Sequence, residues 1–243
     1  MKNPNRLAVT LETGATTALV YPANSHRDRT LVLGHGAGAG QQSAFMVAFA
    51  RALSALDVTV VTFNFPYIER GRRIPDRAPV LESCFHAVID AVRADVAPAP
   101  GALFIGGKSM GGRIATQVAA ADPALEIDGL VLLGYPLHPP GRPTERRDKH
   151  LPSVRRPMLF IQGTRDAFGT PGELEPVLLN IRPTPIVHIV DGGDHSFKVT
   201  RRDADAQLAV YAEVQRIIVS WMEALQAREA REAREATTRD RRT

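Results

Sequence analysis

The 243-residue sequence predicts an α/β domain: a mostly parallel, twisted sheet with helices on both faces. Three observations predict it. Short β-rich runs alternate with longer runs of helical periodicity along almost the whole chain. Several of the short runs are continuously apolar, as strands buried on both faces are. The 44% hydrophobic content is enough for the core of one domain of this length, and no internal repeat or linker divides the chain.

The elements follow in order. "LAVTLE" (7–12) and "TTALVYP" (16–22) read as an opening pair of strands, and "TLVLGHG" (30–36) as a third. "SAFMVAFARALSAL" (43–56) has a helical period, "VTVVTFNFP" (58–66) is a strand, and "VLESCFHAVIDAVRADV" (80–96) is a helix that stops at the Pro/Gly break of 98–101. The strand "ALFIGG" (102–107) and the helix "GRIATQVAAA" (112–121) come next, then the strand "GLVLLGYP" (129–136) and a Pro/Arg-rich connector at 138–156. The strand "PMLFIQG" (157–163), a short helix near 172–181, the strand "PIVHIV" (185–190) and an amphipathic helix from about Asp203 to Gln226 complete the domain, 1–226. Residues 227–243 read as a charged, flexible, solvated helical tail, in which Arg228 pairs with Glu232 and Arg231 with Glu235 at i,i+4 spacing.

Composition removes several function classes. The single cysteine, Cys84, excludes a disulfide framework and reads as a buried filler of its helix. The chain starts without an apolar stretch of signal-peptide length and has no window apolar enough for a membrane span, so a soluble, cytoplasmic protein is expected. The net charge of +4 comes from basic residues mixed with acids and without interleaved aromatics, which argues against nucleic acid as a partner.

Loops leaving the C-terminal ends of parallel strands share one rim, where ligands bind in open α/β sheets. "GKSMG" (107–111) lies on that rim and fits G-x-S-x-G between a strand and a helix. The flanking glycines suit a tight strand-to-helix turn, and Ser109 at its apex is the expected nucleophile. A serine hydroxyl needs a base, and the base needs an orienting acid. His195, after the last strand, is the expected base. His86 lies on a helix, His188 inside a strand and His26 in an early turn, while His138 and His150 would break the chain order Ser, Asp, His. Asp166, just past "MLFIQG", is the expected acid, with Asp191 the alternative; Asp191 and Asp194 both read as turn formers. The glycine-rich turn after the third strand, which also holds His35, places the backbone N–H of Ala37 to share an oxyanion with that of Met110.

The same glycines invite two rival readings. Gly34 to Ala39 satisfies a loose dinucleotide fingerprint, but the next strand ends at Asn64 and Phe65, without the acid that would hold a ribose. "GGKS" (106–109) mimics the tail of a P-loop, yet Ala102 stands where its first glycine belongs. No His or Cys pair has metal-ligand spacing on a helix, and no cofactor is expected.

With these motifs in hand, the chain resembles the α/β-hydrolase superfamily over nearly its whole length. "GHGAG", "FNFPY", "GGKSMGGR", "LGYPLHPPG", "QGTRDAFG" and "GDHSF" together resemble a small predicted-hydrolase branch related to dienelactone hydrolases, which also includes a testis-expressed protein and a subunit of a nuclear acetyltransferase complex. Lys108 departs from the His common before the nucleophile in esterases and lipases, and Ser109 departs from the Cys of dienelactone hydrolases proper. The resemblance implies the α/β-hydrolase fold with a minimal or absent cap, since the connector at 138–156 is too short for a large lid. It implies a serine hydrolase acting on a small ester or thioester, with a non-catalytic interaction module as the alternative. That connector carries Arg142, Arg146, Arg147, Lys149, Arg155 and Arg156 against Glu145 and Asp148, and the loop after "VTFNFP" adds Arg70, Arg72, Arg73 and Arg77 against Glu69 and Asp76. Positive charge is therefore expected around the mouth of the site, favouring a substrate with an anionic part.

Overall fold

The computed structural model describes residues 3–25, 29–97, 101–199 and 203–240. His26 and residues 98–100 of the expected break lie outside the described residues. Eight strands form one sheet in the order β1-β2-β4-β3-β5-β6-β7-β8. The opening strands β1 (Asn5–Leu11) and β2 (Gly14–Tyr21) are antiparallel to each other, and β2 is antiparallel to β4 (Thr59–Phe63). From there β3 (Arg29–Gly34), β5 (Ala102–Lys108), β6 (Gly129–Leu133), β7 (Met158–Gly163) and β8 (Ile186–Val190) continue in parallel.

The continuous apolar runs are strands covered on both faces, as their composition predicts: every residue of β3, β5, β6 and β7 is buried. Alternate residues feed two cores. Val32, Ile105, Leu132 and Phe160 pack with Phe85 and Val88 of α3 (Ala78–Asp95) and Ile114 of α4 (Met110–Ala121). Leu31, Phe104, Val131 and Ile161 pack on the other face with Phe49 of α1 (Ala44–Ala55) and with Ile218 and Trp221 of α6 (Ala204–Asp240).

Two elements differ from expectation. A short helix, α2 (Pro66–Glu69), stands where a loop is expected; Pro66 fits its first turn, where no intrahelical N–H is needed, and Tyr67 is buried beneath it. The connector after β6 folds into a 3₁₀ turn at Leu151–Ser153 whose Leu151 is buried, so it packs as part of the body. The last helix continues through the expected helical tail to Asp240; among the residues whose burial is described its buried ones end at Leu225, and Arg228 lies 3.6 Å from Glu232. The remaining helix, α5 (Pro171–Leu178), opens on a capping box between Thr170 and Glu173. Among the described residues no helix is long and apolar enough to cross a membrane.

The rim depends on one close approach. A Cβ on Gly111, in the first turn of α4, would collide with the backbone carbonyl of Gly34 at the end of β3. Gly111→Ala should therefore lower stability in urea unfolding followed by circular dichroism, by roughly 1–3 kcal/mol or more. Gly172→Ala, in α5 with open space around it, should be neutral or more stable by up to about 1 kcal/mol.

Candidate active site

Between β5 and α4 there is a single residue, Ser109, with φ 51° and ψ −115°. A non-glycine residue rarely takes this conformation, which here turns the chain from strand to helix in one step. The turn is held by the Ser109 N–H donating to Leu133 O at 2.9 Å and by the Arg113 N–H donating to Ser109 O at 3.1 Å.

His195 Nε2 lies 2.8 Å from Ser109 Oγ, and His195 Nδ1 lies 2.8 and 2.9 Å from the two oxygens of Asp166. A carboxylate only accepts, so Nδ1 carries the proton and Nε2 is the free acceptor facing the hydroxyl. The loop bearing His195 is shaped by Asp194, whose side chain accepts from the N–H groups of Ser196 and Lys198 at 2.7 and 2.9 Å. Asp194 is thus a turn former, and Asp191 is exposed. Asp166, 2% exposed, also accepts from the Phe168 N–H at 2.8 Å and from Gln162 Nε2 at 3.0 Å. The Phe168 ring stacks on His195 at 4.1 Å between centroids. Burial, and secondarily the charge of Lys108, lower the pKa of His195 below 6.5 against the opposing pull of Asp166.

The turn after β3 lies against Ser109, since a Cβ on Gly36 would be 3.7 Å from Ser109 Cβ. His35, fully buried, donates from Nδ1 to Gly36 O at 2.8 Å and accepts at Nε2 from the Phe65 N–H at 3.1 Å. Fixing the Gly36 carbonyl fixes the plane of the peptide that carries the Ala37 N–H. Neither that N–H nor that of Met110 has an acceptor among the described residues, and both residues line the cavity containing Ser109. The other histidines among the described residues are engaged elsewhere: His86 with Asp90, His138 with Glu173, His150 with Thr116, and His188 near Glu213.

The cavity measures about 540 Å³. Its walls include Phe45, Met46, Leu81 and Phe168, with Lys108, Arg113 and Arg147 as cations and Asp76 as the acid. Three of the ten cations expected to ring the mouth are paired with acids of their own loops, and two more are held by backbone carbonyls. Arg72 binds Asp76 at 2.6 Å, Arg142 binds Glu145 at 3.0 Å and Arg146 binds Asp148 at 2.7 Å, while Arg70 and Arg156 donate to backbone carbonyls. Of the loop cations named from the sequence, Arg147 alone lines the cavity. Lys108 is 7% exposed; its Nζ has no hydrogen-bond partner among the described residues and sits 5.8 Å from the Phe45 ring centroid. Burial pushes its pKa down to about 8, against the fields of Asp166 and Asp194.

Three residues of this machinery carry no sequence signal strong enough to assign a role: His35, Gln162 and Phe168. Gln162 is the most embedded, with its Oε1 accepting from the Tyr135 N–H at 2.9 Å and its amide donating to Asp166 and to Gly169 O. Among the described residues no group of three or more His, Cys, Asp or Glu side chains is placed to hold a metal ion.

A family model described as an alpha/beta hydrolase domain matches residues 27–223. Solved structures agree on the fold. An α/β serine hydrolase without lid from Xanthomonas campestris is 22% identical, with a TM-score of 0.70 over 91% of this chain and 96% of that one. An α/β serine hydrolase homologue from Coxiella burnetii is 16% identical, with a TM-score of 0.71 over 89% and 98%. A dienelactone hydrolase from Anabaena variabilis is 19% identical, with a TM-score of 0.69 over 88% and 97%.

Burial pushes the pKa of His35 from 6.5 down to about 4. The folded state thus resists a proton that the unfolded chain accepts, so stability is complete above pH 6.5 and is lost as pH falls from 6.5 toward 4. The loss should reach on the order of 3 kcal/mol from this residue. Urea unfolding at pH 7, 5.5 and 4.5 checks it, and His35→Gln should flatten the fall, leaving the part that comes from His150, whose pKa burial also lowers to about 4.

Proposed function

The chain belongs to the alpha/beta hydrolase domain family, and on that premise we propose that it is a serine hydrolase cleaving small carboxylic esters or thioesters through an acyl-enzyme intermediate. The observation that carries the proposal is the unbroken hydrogen-bonded chain from Ser109 Oγ through His195 to Asp166. The relatives' description as serine hydrolases is consistent with it.

On this reading Ser109 Oγ attacks the substrate carbonyl as His195 Nε2 takes its proton. Asp166, fixed by Gln162 and the Phe168 N–H, stabilises the imidazolium and keeps the ring in the useful tautomer. The negative oxygen of the tetrahedral intermediate is received by the N–H groups of Ala37 and Met110, each worth about 3 kcal/mol in sites of this type, and by the positive end of α4. Collapse expels the alcohol or thiol, protonated by His195. Water, deprotonated by the same imidazole, then attacks the acyl carbonyl, Ser109 leaves as the alcohol, and the acid departs. The cycle uses no cofactor. A role as a non-catalytic interaction module would leave the positive φ of Ser109 and the alignment of His195 without a purpose.

A fluorophosphonate probe should label the wild-type protein at Ser109 and fail to label Ser109→Ala or His195→Ala. Turnover of p-nitrophenyl esters, tested over a range of acyl lengths, should fall by roughly 10³-fold or more in these variants and about 10³–10⁴-fold in Asp166→Asn. Wild-type labelling no faster than that of Ser109→Ala would refute the proposal.

The acid limb of kcat/KM should have its midpoint below pH 6.5, because the base works only when neutral and its pKa is lowered. Lys108→Met removes a positive charge that opposes protonation of His195, so the acid limb should move to higher pH.

A further inference from the structure

Arg113 and Arg147 converge on the cavity from opposite sides of the chain: one from the first turn of α4 below Ser109, the other from the connector after β6. Arg147 is held by its backbone, its N–H donating to Leu137 O at 2.9 Å and its carbonyl accepting the Tyr135 hydroxyl at 2.7 Å. Among the described residues neither guanidinium has a carboxylate within ion-pair distance. The acids nearby are taken: Glu145 by Arg142, Asp148 by Arg146 and Asp76 by Arg72. Arg113 Nε is buried with no acceptor. The two cations also repel each other, since the pKa of Arg147 is lowered by burial first and by Arg113 second. His150, which feels Arg113 as well, is held neutral at physiological pH and offers no compensating charge.

Unpaired guanidiniums kept together beside a nucleophile are costly unless something negative joins them. Their planar donor forks match the two oxygens of a carboxylate or phosphate. We propose that Arg113 and Arg147 form a subsite for an oxyanionic group, carboxylate or phosphate, carried by the substrate apart from the carbonyl that Ser109 attacks. The proposal rests on Ser109 being the nucleophile. Lys108 is not part of the subsite, because its Nζ lies by Gly134 and the His195 ring and faces the charges of Asp166 and Asp194.

Two measurements test it independently of each other. In the first, kcat/KM is compared for p-nitrophenyl butyrate, mono-p-nitrophenyl succinate and the butyrate ester of a carboxyl-bearing nitrophenol, which place the carboxylate on neither side, the acyl side or the leaving-group side. At least one charged ester should be preferred by about tenfold or more, in line with one or two charge-assisted hydrogen bonds. The charged-to-neutral ratio should collapse toward one in Arg113→Gln and in Arg147→Gln and recover in part in Arg113→Lys. In the second, isothermal titration calorimetry with succinate and with inorganic phosphate should show binding to Ser109→Ala that is weakened about tenfold or more in Ser109→Ala carrying Arg147→Gln. The stronger ligand of the two identifies the anion.

A wild-type enzyme that labels with fluorophosphonate yet treats neutral and charged esters alike, with neither anion bound, overturns the subsite and leaves the hydrolase reading standing. Anion binding that depends on Arg147 in a protein that does not label supports the subsite and removes the hydrolase.

Discussion

Between Gly34 at the end of β3 and Gly111 in the first turn of α4 there is room for hydrogen and for nothing heavier. Because the helix must begin this close to the sheet, the chain has one residue in which to leave β5 and enter α4. That residue is forced to positive φ, in a sparsely populated region that costs an L-residue about 1–3 kcal/mol. The burial of Ile114, Ala115 and Val118 against the sheet offsets the cost. The return is geometric. The Ser109 hydroxyl stands at the rim, the N-terminus of α4 points its free N–H groups at the same place, and the turn after β3 comes within van der Waals reach.

Around that turn, two histidines of identical chemistry are made to do opposite things by their surroundings. His35 is sealed against Phe65 and Tyr67, with both ring nitrogens occupied by backbone partners, so it can only act as a fixed strut for the Gly36–Ala37 peptide. His195 has one nitrogen tied to Asp166 and the other turned to a hydroxyl, and Lys108 weakens its hold on a proton. Burial first, and the charge of Lys108 after it, hold the pKa of this imidazole below its ordinary value. Asp166 in turn keeps it basic enough to matter.

The fold was legible because its signals are local and repeated: the alternation of runs, the turn glycines and the buried strands each occupy a few consecutive residues. Ser109, Asp166 and His195 were legible because chain order restricts where such groups can meet in an α/β sheet, and the coordinates bring these three together. Gln162 was not, since a glutamine inside an apolar strand carries no mark of the carboxylate it will hold. Which cations reach the cavity was not legible for a related reason. A net charge summed along a loop says nothing of where each side chain ends, so Arg147 is not told apart from Arg142 or Arg146, and Arg113 in its helix looks like ordinary surface. The apolar stripe of the last helix ends near Gln226, and good helix formers carry the backbone on to Asp240 without it, which is why its solvated continuation is legible from composition alone.

The connector after β6 is the part of the rim that bears most on selectivity in the proposed hydrolase. It is pinned at several points: the Arg147 N–H to Leu137 O, the Tyr135 hydroxyl to Arg147 O, His150 to Thr116 of α4, and Leu151 in the core. On the proposed reading, a segment anchored at these points favours selection by groups already in place when a substrate arrives over selection by closure of a cover. The same bonds hold Arg147 at the cavity wall, beside a second guanidinium carried by the helix that follows Ser109.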